Sequence, residues 1–274
     1  MAEVVIQLAA HRDIPWMVEV FRRAYEVEED FSSMAASFDV NLEIQPDGCF
    51  LALLCGRAVG IACYTIYDGL AWVGLVGVVP ELQRRGIGTR LMREVLNKLR
   101  GAGVTTIRLD ASKAGHGLYR RLGFVDEYKT ITYDIGDARL PTNVEGVEVS
   151  HDIPEYVVEL DRAVFGIDRL RIIKAWVKRS AKILTVEDKG YCMLWNTKLG
   201  PLIAKDSDTA LMLLVKAREL GATSIIVPEA NPQAMKLMNE IGGKITITCT
   251  RMRLGSKHVE DIKKIFGILN YAKG

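Results

Sequence analysis

The chain has 274 residues, 49% apolar and 26% charged, which is longer than the roughly 100–150 residues of one typical core and predicts two folded domains rather than a disordered chain. With 36 Lys and Arg against 34 Asp and Glu, the net charge of +2 supplies no whole-chain field for nucleic acid or an anionic membrane, so neither is an expected partner. Five cysteines (Cys49, Cys55, Cys63, Cys192 and Cys249) without a CxxC pair, and four scattered histidines, predict neither a disulfide framework nor a metal site.

In chain order, a strand is expected at Val4 to Leu8, then a helix with Asp13 as N-cap and Pro15 in its first turn. Glu3, Arg12 and Asp13 interrupt the only apolar stretch near the N-terminus, so no secretory leader is read and a cytoplasmic location is expected. A second helix covers about Phe31 to Leu42. Strands follow at Cys49 to Leu54, Ala58 to Tyr67 and Leu70 to Val79. The stretch from Ala58 to Val79 is long and uncharged enough to suggest a membrane span, which takes roughly 20 apolar residues. Asp68-Gly69 in its middle, among β-formers, predicts a hairpin instead.

From Gly86 to Leu99, apolar residues at Ile87, Leu91, Met92, Val95, Leu96 and Leu99 recur with the spacing of a helix lying on a sheet. A strand at Val104 to Leu109, a short helix at Gly115 to Leu122 and a strand at Tyr128 to Asp134 complete the first half. Gly136 to Val147, with Gly136, Pro141, Asn143 and Gly146, reads as a linker. The pattern then restarts: Asp152-Ile153-Pro154 repeats Asp13-Ile14-Pro15, Val157 and Arg162 answer Val18 and Arg23, Gly221-Ala222 answers Gly101-Ala102, and Leu237 to Gly242 answers Leu118 to Gly123. Matches in the same order on the same elements predict an internal duplication, with domains at 1–138 and 147–274.

The informative turn is Val78-Val79-Pro80-Glu81-Leu82-Gln83-Arg84-Arg85-Gly86-Ile87-Gly88-Thr89, between a buried strand and an amphipathic helix. Such a turn leaves backbone N–H groups unpaired at a helix N-terminus, where the macrodipole favours an anion. Gly86 and Gly88 allow close approach, and Arg84, Arg85 and Arg90 add positive potential. Leu91 stands where a dinucleotide fingerprint has its third glycine, and the Gly-Lys-Ser/Thr of a P-loop is missing.

V-x-P-x-x-Q-x-x-G-x-G at Val78 to Gly88, followed by G-L-Y-x-x-L-G-F at Gly117 to Phe124, resembles the two signature motifs of the GNAT N-acetyltransferases. The resemblance covers about Val4 to Ile135. It implies an α/β domain with a mixed, mostly antiparallel sheet flanked by helices and the fourth and fifth strands splayed, and with the duplication a tandem of two such domains. Its donor would be acetyl-CoA, used without a metal. The backbone at Val76, Gly77 and Val78 would hold the pantetheine arm and the acetyl carbonyl, and Arg84, Arg85, Gly86, Ile87, Gly88 and Thr89 the pyrophosphate. Ser112 stands where an Asn-containing loop is common in relatives, as a substitute contact to CoA.

Moving acetyl from a thioester to an amine needs a stabilised oxyanion, a proton for the thiolate and a neutral amine. Val78 N–H can serve the first need, and by the family pattern Tyr119 serves the second. Asp110, at a strand end, and His116 both remain candidates for the base. In the second half, Gly200 to Ala204, Val227 to Pro232 and Thr250 to Gly255 resemble the C-terminal domain that follows a catalytic GNAT domain in tandem acetyltransferases. This half carries Lys205-Asp206-Ser207-Asp208 in place of the glycine turn and Met238 in place of Tyr119, so it is expected to be a degenerate copy without transfer chemistry. Glu229, Asn231 and Arg251 are its expected acceptor-recognition residues. The acceptor is expected to be a small-molecule or peptide amine, and the protein a monomer or homodimer. The alternative is a non-catalytic acyl-CoA-sensing or partner-binding module.

Overall fold

The computed structural model describes residues 3–27, 30–142 and 144–274. The chain forms two compact units: one runs up to Leu109 and takes in Leu254–Ser256 and Lys273, the other comprises Asp110–Arg253 with Lys257–Ala272 and Gly274.

In the first unit β1 (Val4–Leu8) leads through a 3-10 turn at His11–Asp13 into α1 (Ile14–Tyr25). Next come α2 (Phe31–Ile44), β2 (Cys49–Leu54), β3 (Arg57–Tyr67), β4 (Leu70–Val78), α3 (Ile87–Gly101) and the start of β5 (Thr106–Ala111). Pro15 lies in the first turn of α1, but the Asp13 carboxylate turns back to accept the Ala10 N–H at 2.9 Å, and α1 has no side-chain cap. The Asp68-Gly69 hairpin closes on the pair Tyr67↔Leu70, with Asp68 at φ 49°. Among the described residues no helix is long and apolar enough to cross a membrane. The sheet order is β1-β2-β3-β4-β5, antiparallel except for the β4–β5 pair. α3 buries the six apolar positions that its spacing predicts, each worth about 1.5–3 kcal/mol relative to exposure. A Cβ at Gly60 would lie 2.9 Å from Leu91 Cδ1, so glycine there lets the helix sit close on β3.

The second unit continues with α4 (His116–Arg121), β6 (Val125–Asp134), β7 (Glu148–Ser150), α5 (Glu155–Phe165), α6 (Leu170–Val177), β8 (Lys182–Val186), β9 (Gly190–Trp195) and β10 (Lys198–Ala204). It ends with α7 (Ser207–Glu219), β11 (Ser224–Pro228), α8 (Pro232–Glu240), β12 (Lys244–Gly255) and β13 (Ile265–Gly267). Its strand order is β12-β6-β11-β10-β9-β8-β7, and β13 pairs with β10. From β7 to β12 the elements repeat those from β1 to β6 in kind and order, which is the duplication that the sequence predicts. The helix ends repeat too: Phe124 N–H reaches Tyr119 C=O at 3.1 Å, and Gly243 N–H reaches Met238 C=O at 2.9 Å. One match is out of register. Gly221 (φ 99°) corresponds to Gly103 (φ 73°), not Gly101, since both glycines take left-handed backbone at the equivalent helix exit.

β6 closes the first repeat in sequence but is held in the second unit, antiparallel to both β11 and β12. Its Ile131 and Tyr133, with Ile135, belong to the core that includes Leu213, Val227 and Phe266. Ala138, Leu140 and Val147, inside the expected linker, pack against the same core, and Arg139 N–H donates to Ile241 C=O at 2.7 Å. Asn143, also expected there, lies outside the described residues.

Candidate active site

β4 runs into a 3-10 turn at Pro80–Leu82, and the next few residues enter α3. Arg84 and Gly86 take left-handed φ of 59° and 83°. No side chain caps α3, and Arg90 N–H bonds Gly86 C=O at 3.0 Å. The amides of Ile87, Gly88 and Thr89 therefore have no acceptor in their own helix and sit at the positive end of its macrodipole. Arg84, Arg85 and Arg90 are exposed and form no ion pair among the described residues. Glu81, the one carboxylate of the turn, is paired with Arg23. The site is an open set of donors with unneutralised positive charge, suited to phosphate oxygens.

The edge of β4 leads into that turn. Ile61 pairs with Gly77 and Cys63 with Gly74, so Leu75 and Val76 together face Ala62 in a β-bulge, with Leu75 at φ 53°. The parallel β4–β5 pairing stops at Trp72↔Arg108, which is the splay expected of the fourth and fifth strands. Val79 N–H bonds Val59 C=O at 3.0 Å, so strand alternation turns the Val78 N–H toward the β5 side. Gln83 Nε2 donates to Val78 C=O at 3.1 Å, and the Tyr25 hydroxyl to Val76 C=O at 2.8 Å. Gly77 has a packing reason of its own: a Cβ there would fall 2.8 Å from Ala24 Cβ. Sequence reasoning assigned no role to Gln83, although it stands in the quoted motif. Tyr25 and Leu75 carried no signal of their own.

The other expected residues lie in the second unit. Tyr119 is buried on α4, its ring edge-on to Phe124 with centroids 5.9 Å apart. A Cβ at Gly115 would lie 3.0 Å from Tyr119 Cε2, so the glycine gives the ring its place. His116, one turn earlier on α4, bonds Asp126 through Nε2 at 2.9 Å. Ser112 Oγ accepts the Gly115 N–H at 3.3 Å and shapes the turn into α4.

The structure brings Asp110 and Arg251 together, although different roles were expected of them. Arg251 Nη2 and Nε donate to Asp110 Oδ2 and Oδ1 at 2.9 and 3.2 Å, and Thr130 Oγ1 donates to Oδ1 at 2.8 Å. Both side chains are shut off from solvent, at 1% and 0% exposure. Burial alone would lower the Arg251 pKa, but the Asp110 carboxylate outweighs it and holds the guanidinium above its ordinary value. Three donors, two of them from a buried, bidentate arginine, hold the Asp110 carboxylate away from solvent, which fits a structural counter-ion and argues against the expected base. Arg251, enclosed in the same pair, is likewise unsuited to hold an acceptor.

Asn231 is fully buried; its Oδ1 accepts from Gln233 and Ala234 N–H to cap α8, and its Nδ2 donates to Lys263 and Ile265 C=O, both at 3.0 Å. No valence is left for an acceptor. Glu229 is exposed, and its Oε2 accepts Lys129 N–H at 3.2 Å. Among the described residues no cluster of three His, Cys, Asp or Glu could hold a metal.

At the equivalent point of the second repeat, Asp206 caps α7 by accepting the Thr209 N–H at 2.8 Å. That bond holds the carboxyl below the usual range. Its negative charge occupies the position an anion would take. Met238 is buried on α8 at the place of Tyr119.

The sequence profile of the acetyltransferase (GNAT) family matches residues 15–124, and that of an acetyltransferase (GNAT) domain matches residues 157–267. No sequence among the curated proteins matches the chain. A crystal structure of a candidate acetyltransferase from Pyrococcus horikoshii is 43% identical, with 99% of this chain and 96% of that chain covered and a TM-score of 0.96. A GCN5-related N-acetyltransferase from Sphaerobacter thermophilus shares the fold at 13% identity, covering 94% of this chain and 97% of its own, TM-score 0.64. A tandem GNAT protein from the clavulanic acid biosynthesis pathway does so at 13% identity, covering 94% and 100%, TM-score 0.63. With both halves matched and the duplicated fold in place, the chain belongs to the GNAT acetyltransferases, as a tandem member.

Proposed function

We propose that the first repeat binds acetyl-CoA and transfers its acetyl group directly to a primary amine of a small molecule or peptide. The observation that carries this reading is the head of α3, where among the described residues the amides of Ile87, Gly88 and Thr89 have no acceptor and Arg84, Arg85 and Arg90 no ion pair. In this reading Arg84 to Thr89 hold the pyrophosphate, and the arm follows the edge of β4 at Val76 to Val78. Val78 N–H stabilises the oxyanion as the amine nitrogen bonds to the carbonyl carbon. When the C–S bond breaks, the Tyr119 hydroxyl gives its proton to the sulfur. A phenol with pKa about 10 can do so toward a thiolate whose thiol has pKa about 8.5 when the transfer is short and dry. With Asp110 committed to Arg251, the amine proton goes to His116, whose Nδ1 has no partner among the described residues and whose ring Asp126 orients. Ser112 supports the turn into α4. The second repeat is degenerate in the donor site, and the exposed carboxylate of Glu229 is its remaining candidate for attracting a cationic acceptor.

A non-catalytic acyl-CoA sensor is the competing class, and the presence of Tyr119 favours the enzyme. Release of CoA thiol from acetyl-CoA, measured across polyamines, amino acids, aminoglycosides and peptide N-termini, separates the two. The expected outcome is amine-dependent release, with Tyr119→Phe lowering kcat about 100-fold at unchanged CoA affinity. Tight CoA binding without thiol release from any amine would establish the sensor instead.

A further inference from the structure

We infer that the C-terminal strand β13 is the standing occupant of the second repeat's counterpart of the acyl-CoA slot, so that each chain takes up one acyl-CoA. The inference rests on the donor reading of the first repeat. Both repeats build the slot in the same way. β4 and β5 pair over three residues and then part, while β10 and β11 pair only at Lys198↔Ser224 and Leu199↔Ile225. β10 also carries an irregularity opposite β9, between Leu199 and Leu202, three residues nearer its hairpin than the bulge of β4. A parting pair of strands leaves two rows of backbone donors and acceptors that need partners.

In the second repeat the chain itself supplies them. β13 pairs antiparallel with β10 at Leu202↔Gly267 and Ile203↔Ile265, and on its other side Ile268 N–H donates to Ile226 C=O of β11 at 2.9 Å. The fit is close. A Cβ on Gly267 would come within 2.9 Å of Ile225 Cδ1, and one on Gly200 within 2.1 Å of Ile268 C=O. Ile265, Phe266 and Ile268 are each no more than 1% exposed. Asn231 fastens the strand through its bonds to Lys263 and Ile265 C=O. Asp206 closes the phosphate end of the same slot by capping α7. Arm position and anion position are therefore both filled by protein atoms.

Titration calorimetry of the full chain with acetyl-CoA, paired with hydrogen exchange, tests this. One molar equivalent is expected. Leu75 to Val79 and Gly86 to Thr89 should gain protection on binding, while Ile265 to Ile268 are already protected without it and do not change. Two equivalents, or loss of protection over Ile265 to Ile268 when acetyl-CoA is added, overturns the occupant. No binding at all overturns the donor reading and the count of one with it. Gly267→Val, which crowds Ile225, should speed exchange over Ile265 to Ile268 at least about 10-fold and still give one equivalent; unchanged exchange in that variant also overturns the occupant.

Discussion

Replacing Asp110 by Asn separates a buried counter-ion from a catalytic base. The substitution keeps the shape of the side chain and can keep the Thr130 hydrogen bond, but it removes the charge facing Arg251. Arg251 is 1% exposed and cannot regain water without opening the strands around it. The Tyr128 hydroxyl, which Arg251 also bonds at 3.0 Å, carries no formal charge. Breaking a buried pair from one side costs about 3–5 kcal/mol, because the other charge stays buried without its partner. At roughly 2–4 °C per kcal/mol for a chain of this size, Tm should fall by about 10 °C. Replacing both partners with apolar residues, as in Asp110→Leu with Arg251→Met, should restore most of the loss. The folded double variant should then retain acetyl transfer. Thermal unfolding and steady-state kinetics on the three variants decide the matter. If Asp110→Asn leaves Tm in place while kcat drops more than about 100-fold, the residue is the base and the reasoning here is wrong.

Two further predictions follow from charge. Arg84→Ala with Arg85→Ala should weaken acetyl-CoA binding by about 10-fold or more, with the deficit shrinking at high salt; equal affinity at low ionic strength would remove them from the pyrophosphate site. Burial lowers the Lys273 pKa from 10.5 to about 8. The unfolded chain therefore binds more protons between those values, so this group's contribution makes stability rise with pH across that window and leaves its full penalty, about 3 kcal/mol, below pH 8. Lys273→Met should raise stability at pH 7 and narrow its advantage over the parent toward pH 10; a pH-independent difference between the two proteins would refute the shift.

What could be read from the sequence was mostly local. The apolar positions of α3 state their own period, and Gly86-x-Gly88 with flanking arginines announces an open helix start within a few residues. The strand pair around Asp68-Gly69 is equally self-contained. Partnerships across long separations were not legible. Asp110 stands near the end of β5 and Arg251 within β12, and nothing in either segment states that the two side chains meet. Asn231 reads equally as a cap or as a recognition residue. The structure gives it the capping role and adds two carbonyls from a segment more than thirty residues downstream. β6 was placed correctly as a strand, but which core receives Ile131 and Tyr133 depends on the volume and shape of side chains from β10, α7 and α8. Gly101 and Gly103 flank the same helix exit, so sequence spacing alone does not say which of them answers Gly221; the left-handed φ of Gly103 does.

On the proposed reading, the duplication explains how one copy can do without a donor site and keep its fold. A strand pair that parts midway is stable only if the exposed backbone rows are bonded to something. In the first repeat, on that reading, a ligand amide or water meets the need, so the cost of the slot would fall on acyl-CoA binding. A copy that no longer binds substrate keeps the same geometry and needs a permanent partner, or buried donors would be left unpaired at about 1–3 kcal/mol each. The Ile265-Phe266-Gly267-Ile268 segment meets the need twice over: its backbone bonds both strands, and Phe266 adds apolar area to the core. Glycine at 267 is what lets a peptide strand sit against Ile225, at a position where a side chain would collide. Loss of the glycine turn and gain of the Asp206 cap then go together, since a helix start with no anion to bind is better served by its own carboxylate.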